Sequence, residues 1–140
     1  MTATGGDSLD DSRGEDRDVE YLDLENALAL CERLSIGPVR DLGLLESALR
    51  RPQTSLQGVQ VYPSMASQAA ALLESLVRNP ALVDGNKRLG WTCLVVFLDL
   101  NGHWLEVDDD AAYDTVMALA AGRMDREALT AVIEGWMQAE

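Results

Sequence analysis

The stretch from Asn86 to Leu100 limits the choice of fold more than any other part of this chain. Leu89, Trp91, Cys93, Leu94, Val95, Val96, Phe97, Leu98 and Leu100 cannot be gathered on one face at a helical period. A helix that is apolar all round needs cover on every side, so it belongs at the centre of a domain. A strand over Cys93 to Leu98 is the competing reading. The length of the run, and Asn101-Gly102 as a helix C-terminus behind it, favour the helix.

The remaining segments are the right kind to wrap such a core. Leu24, Leu28, Cys31 and Leu34 share one helical face, and Ser35-Ile36-Gly37-Pro38 stops that helix. Asp41 can cap a second helix carrying Leu44, Leu45, Ala48 and Leu49, with Pro52 at its end. Val59 and Val61 alternate with polar residues beside Gly58, which predicts a short hairpin or flap within 53–62. Ser64 or Ser67 opens a helix through Met65, Ala69, Leu72, Leu73 and Leu76 that ends at Pro80. Two amphipathic helices follow the central one. The first starts near Asp108, with Ala112, Val116 and Leu119 inward and Gly122 as stop. The second starts near Asp125, with Leu129, Val132, Ile133 and Trp136 inward. The expectation is a compact all-α bundle around one buried helix, with a small β flap.

Charge narrows the function. Net charge is −13, and nine acidic residues against two arginines lie between Asp7 and Glu25. Such a surface repels nucleic acid. Residues 1–18 are small, polar and acidic, and read as a disordered tail ahead of one domain at 19–140. No signal peptide or membrane-length apolar run is visible, so no membrane partner is expected and the cytoplasm is the default location. Cys31 and Cys93 sit in apolar helical stretches without metal-site spacing, and read as buried free thiols.

The chemistry concentrates in Asp84-Gly85-Asn86-Lys87-Arg88, immediately before the central helix. The first backbone amides of a helix lack acceptors, and the macrodipole makes that end positive. Gly85 allows close approach, Asn86 can cap or donate, and Lys87 and Arg88 add full charge. Together they suit a phosphate. Asp84 is the neighbouring carboxylate that can hold Mg²⁺ against a nucleotide. The plainer alternative is a turn, a cap and two solvated cations.

The segment Asn79-Pro80-Ala81-Leu82-Val83-Asp84-Gly85-Asn86-Lys87-Arg88 resembles the Fic/Doc signature H-x-F-x-D-[GA]-N-K-R. Asp41 to Leu49 with Arg51-Pro52, then Tyr62-Pro63, and Phe97 to Gly102 resemble the flanking parts of the same family. The likeness covers roughly residues 20–138. It implies a Fic/Doc-like helical fold. It further implies that Asp84 binds Mg²⁺, that Gly85, Asn86 and Lys87 form an anion hole for ATP, and that Arg88 contacts a phosphate. The flap at 55–62 would hold a target segment by strand addition. Lys87 stands where most AMP-transferring members carry glycine, and resembles the death-on-curing (Doc) type. Those toxins act as kinases on elongation factor Tu, arrest translation, and are restrained by a cognate antitoxin. AMP transfer and a purely binding role are the alternatives.

One position departs from the family. Pro80 stands where the resemblance places the catalytic histidine, the general base. Proline has no ionisable group, and loss of such a base costs about 10²–10⁴-fold in rate. Leu82 replaces the usual phenylalanine and remains an apolar anchor. His103 is the chain's only histidine and follows the far end of the central helix. At 1.5 Å per residue that is roughly 22 Å away, too far to substitute. The chain is therefore expected to be inactive or crippled as written. Three origins stay open for Pro80: a replacement introduced or selected against toxicity, a natural inactive relative, or a site in which Asp84 serves as a weak base.

Overall fold

The computed structural model describes residues 18–140, and the tail read at 1–18 lies, apart from Asp18, outside the described residues. Six α-helices are present among the described residues: α1 Leu24–Leu34, α2 Leu42–Arg50, α3 Met65–Arg78, α4 Asn86–Leu100, α5 Asp109–Ala120 and α6 Arg126–Trp136. A 3₁₀ turn at Arg51–Gln53 leads into the hairpin β1 Ser55–Leu56 and β2 Val59–Gln60. A second antiparallel pair joins β3 His103–Leu105 to β4 Met137–Ala139. The fold is all-α with a small β flap, as expected, and the second sheet adds to that expectation.

Local chemistry sets most of the boundaries. Asp23, Asp41, Ser64, Asp108 and Asp125 each accept a hydrogen bond from the backbone N–H three residues on. Each such cap contributes about 1 kcal/mol. Ser64 and Ser67 act together as a reciprocal capping box, so both candidate openings of α3 are used. Pro52 is buried within the 3₁₀ turn that follows α2. In the flap, Gln57 and Gly58 both adopt positive φ (52° and 82°), as a two-residue hairpin turn of the I′ kind requires.

The core lies between α3 and α4. Gly90 makes their contact possible: a Cβ there would stand 2.9 Å from Val77 Cγ2 and 3.2 Å from Leu73 Cδ1. The enclosure is shared differently from the sequence reading. Leu89, Cys93, Leu94, Phe97 and Leu98 of α4 are buried, but Val95 and Leu100 open to solvent. Ten of the fourteen residues of α3 are buried, and it packs against α2, α4, α5, α6 and the 3₁₀ turn. Its alanines explain this, because short side chains let neighbours approach from several sides.

Two further expectations are corrected. The inward face of α1 runs through Ala27 and Cys31, leaving Leu28 exposed, because a helix that seats an alanine against its neighbour lies closer and turns its larger side chain outward. The last helix stops at Trp136 and gives way to β4, which pairs with β3, where His103 is partly buried. The pairing of His103 with Ala139 joins residues far apart in sequence, and three-residue strands carry no readable period. No described helix is long and apolar enough to cross a membrane.

Candidate functional site

The loop from Asn79 to Gly85 connects α3 to α4, and its backbone is pinned on two sides. The segment 37–41 runs alongside it. Gly37 N–H donates to Asp84 O at 3.1 Å, Val83 N–H to Pro38 O at 2.9 Å, and Arg40 N–H to Ala81 O at 2.7 Å. From the other side, the Asn86 side chain grips Leu82: Nδ2 donates to Leu82 O, and Leu82 N–H donates to Oδ1, both at 3.0 Å. Leu82 itself is 1% exposed, the apolar anchor its sequence position called for.

Gly85 is the N-cap of α4, with φ +97° and no side-chain cap. The other five helices are capped by aspartate or serine side chains. Leu89 N–H is the first amide of α4 to bond backward, to Gly85 O at 2.9 Å. The backbone amides of Asn86, Lys87 and Arg88 are thus left without intrahelical acceptors at the positive end of the dipole. Gly85 is required there twice over. Its φ is one that side chains resist, and a Cβ would stand 2.5 Å from Ile36 Cβ.

The side chains named from sequence divide into three groups. Asn86 spends its amide on the loop, so what it can offer a ligand is its backbone N–H. Arg88 crosses to the end of α1, where Nη2 donates to Leu34 O at 2.9 Å. A guanidinium carries five N–H donors, so others remain available. Lys87, the chain's only lysine, is exposed and makes no hydrogen bond or salt bridge among the described residues. Asp84 and Pro80 are both exposed on the loop. The Pro80 carbonyl accepts from Arg40 Nη2 at 2.9 Å.

Lys87 and Arg88 border a cleft of about 460 Å³ between α4 and α5. Its floor is apolar and aromatic: Trp91, Val116 and Met117, with Tyr113 at the rim. A cationic helix end beside an apolar slot is the layout a nucleotide needs, charge for the phosphates and flat surfaces for the base. The sequence reading missed Tyr113, Trp91 and Arg40. Tyr113 is 65% exposed on an otherwise ordinary amphipathic helix, a weak signal and the only one available.

No group of three or more His, Cys, Asp or Glu side chains able to hold a metal occurs among the described residues. A lone exposed carboxylate such as Asp84 is compatible with Mg²⁺, an ion that commonly takes one carboxylate, substrate phosphates and water. The two thiols offer no alternative chemistry. Burial pushes Cys93 up to about 12, with the nearby Cys31 adding to the effect.

A family model described as the Fic/DOC family matches residues 7–98. A protein of Mycolicibacterium smegmatis (strain ATCC 700084 / mc(2)155) named Toxin Doc is 42% identical over 125 residues, which is 86% of this chain and 95% of that protein.

Proposed function

The chain belongs to the Fic/DOC family, and from that premise we propose that it is a Doc-type toxin whose α4 N-terminus receives the triphosphate of ATP, in a form disabled at Pro80. The observation that carries this reading is the start of α4, which no side chain caps among the described residues. Three amides without intrahelical acceptors and the Lys87 ammonium, which has no partner among the described residues, stand there beside an aromatic cleft. The reaction is phosphate transfer to a protein hydroxyl, with elongation factor Tu as target and a cognate antitoxin as restraint.

Each group has a part in that reading. Amides at Asn86, Lys87 and Arg88 hold the phosphates, with the Lys87 ammonium and the free N–H groups of Arg88 countering their charge. Asp84 would carry the Mg²⁺, which neutralises phosphate charge when bound. Trp91, Tyr113, Val116 and Met117 take the base and keep water from it. The flap presents Leu56 and Val59, each 69% exposed, to an extended target segment. The step left without an agent is proton removal from the attacking hydroxyl. Pro80 has no side-chain base, and a carboxylate engaged with Mg²⁺ at Asp84 is a poor one. Positioning survives and general-base catalysis does not.

Calorimetric titration with ATP and Mg²⁺ tests the binding half, with Lys87→Ala as comparison. Binding by the native chain and about tenfold weaker binding by the variant are expected, the loss of one charged contact. Absence of any heat at millimolar ATP would refute the reading. The intact mass of elongation factor Tu treated with Pro80→His distinguishes added phosphate from added AMP.

A further inference from the structure

At the end of α4 away from the nucleotide cleft lies a second depression, of about 170 Å³, between the last turns of that helix and strand β3. Val95, Val96, Asp99, His103 and Trp104 line it. Val95 and Trp104 are 42% and 43% exposed, two large apolar side chains side by side at a surface that nothing among the described residues covers. His103 lines it as well, and its Nδ1 is shut off from solvent with no hydrogen-bond partner among the described residues. Buried polar nitrogens are normally paired. The depression offers an apolar anchor point at the surface.

Its rim has one sign of charge. Asp99 is exposed on α4, and Glu106 lies just beyond β3, where its Oε2 accepts from Trp104 Nε1 at 3.2 Å. Glu20 belongs to the same end, since its N–H donates to Asn101 Oδ1 at 2.9 Å. The cations bordering the other cleft, Lys87 and Arg88, stand at the opposite end of this fifteen-residue helix. The C-terminus of α4 adds its own partial negative charge and has no basic residue in its last turn.

We infer that this depression docks a cationic amphipathic segment of a partner protein, seating one aliphatic side chain against Val95 and Trp104. Charge selects the occupant. Nucleic acid and anionic membrane surfaces are repelled by the acidic rim. A second copy would oppose the same acidic rim to itself, because a two-fold contact brings identical patches together. Lysine or arginine flanking an apolar anchor meets Asp99 and Glu106 while the anchor fills the cavity. The inference does not rest on nucleotide binding.

The test uses the full chain, labelled with ¹⁵N. It is titrated with a helical peptide carrying leucine on one face and lysine on the other, and separately with the same peptide bearing glutamate for lysine. The lysine peptide is expected to saturate at one equivalent and to shift the Trp104 indole N–H and the amides of 95–105 first. The glutamate peptide is expected to leave them unmoved. Val95→Glu, an exposed position, should weaken the lysine peptide about tenfold or more. Asp99→Lys, at an exposed position with no side-chain hydrogen bond among the described residues, should weaken it comparably while leaving the thermal midpoint intact. Non-saturating shifts spread over all acidic surfaces would overturn the inference. So would equal binding of both peptides, or undiminished binding by Val95→Glu. A concentration-dependent dimer in sedimentation that Val95→Glu dissolves would assign the face to a second copy instead.

Discussion

The side-chain amide of Asn86 closes on the backbone of Leu82 from both ends, donating to its carbonyl and accepting from its N–H at 3.0 Å each. The first residue of α4 thereby fixes the loop that precedes it. A residue read as a ligand group for its polarity is, in its side chain, a clamp. Asn86→Ala leaves two backbone groups of the loop without partners. A loss of about 1–3 kcal/mol is expected, a drop of about 3–10 °C in a thermal melt of a domain this size. An unchanged midpoint would show that the clamp is idle.

Gly85 answers to Ile36 as much as to any ligand. Gly85→Ala meets a strained φ and a 2.5 Å approach to Ile36 Cβ. About 2–5 kcal/mol of destabilisation is expected from strain and overpacking together. Adding Ile36→Ala should relieve the clash and leave the strain, on the order of 1–2 kcal/mol, relative to Ile36→Ala alone. Denaturant titration of the four proteins measures both terms.

The two walls of the cleft proposed for nucleotide should separate by ligand. Lys87→Ala is expected to weaken ATP and inorganic tripolyphosphate alike, by about tenfold. Tyr113→Ala is expected to weaken ATP alone, by roughly 3–10-fold, the worth of one stacking face. Equal losses of both ligands in Tyr113→Ala would place the base elsewhere. Lys87 is the only lysine, so protection from an amine-reactive reagent by ATP, read by peptide mass, gives an independent measure.

Restoring a base should restore chemistry without changing the fold. Pro80 is exposed, and its carbonyl, not its side chain, is what Arg40 holds. Pro80→His is expected to raise transfer by about 10²–10⁴-fold, with activity climbing through pH 6–7 as the imidazole loses its proton. Equal growth arrest by cells expressing either form would show that position 80 carries no catalytic function.

Cys93 makes stability depend on pH at the alkaline side. Burial raises it from an ordinary value near 9 to about 12. Between those values the unfolded chain releases a proton that the folded chain keeps. Stability is therefore intact below pH 9 and falls as pH rises towards 12, by up to about 1.4 kcal/mol per pH unit. Urea midpoints of the native chain and Cys93→Ala should converge as pH climbs. At pH 8 thiol reagents should modify Cys93 only after unfolding.

Much of this protein was legible one segment at a time. Asp41, Ser64, Asp108 and Asp125 announced four helix starts, and Gly58, Gly102 and Gly122 announced three turns. The cationic start of α4 followed from Gly85, Lys87 and Arg88 alone, because caps, glycine turns and helix dipoles act over a few residues of contiguous chain. Tertiary structure decided what no short window contains. It placed Leu34 under Arg88, Ile36 against Gly85 and residues 37–41 beside the loop at Asn79–Gly85. It enclosed α3 more fully than α4, and it brought Tyr113 to face Lys87 across a cleft. These contacts join residues tens of positions apart. They are fixed by how volumes fill the interior, a property of the whole packed chain rather than of any segment's period or charge.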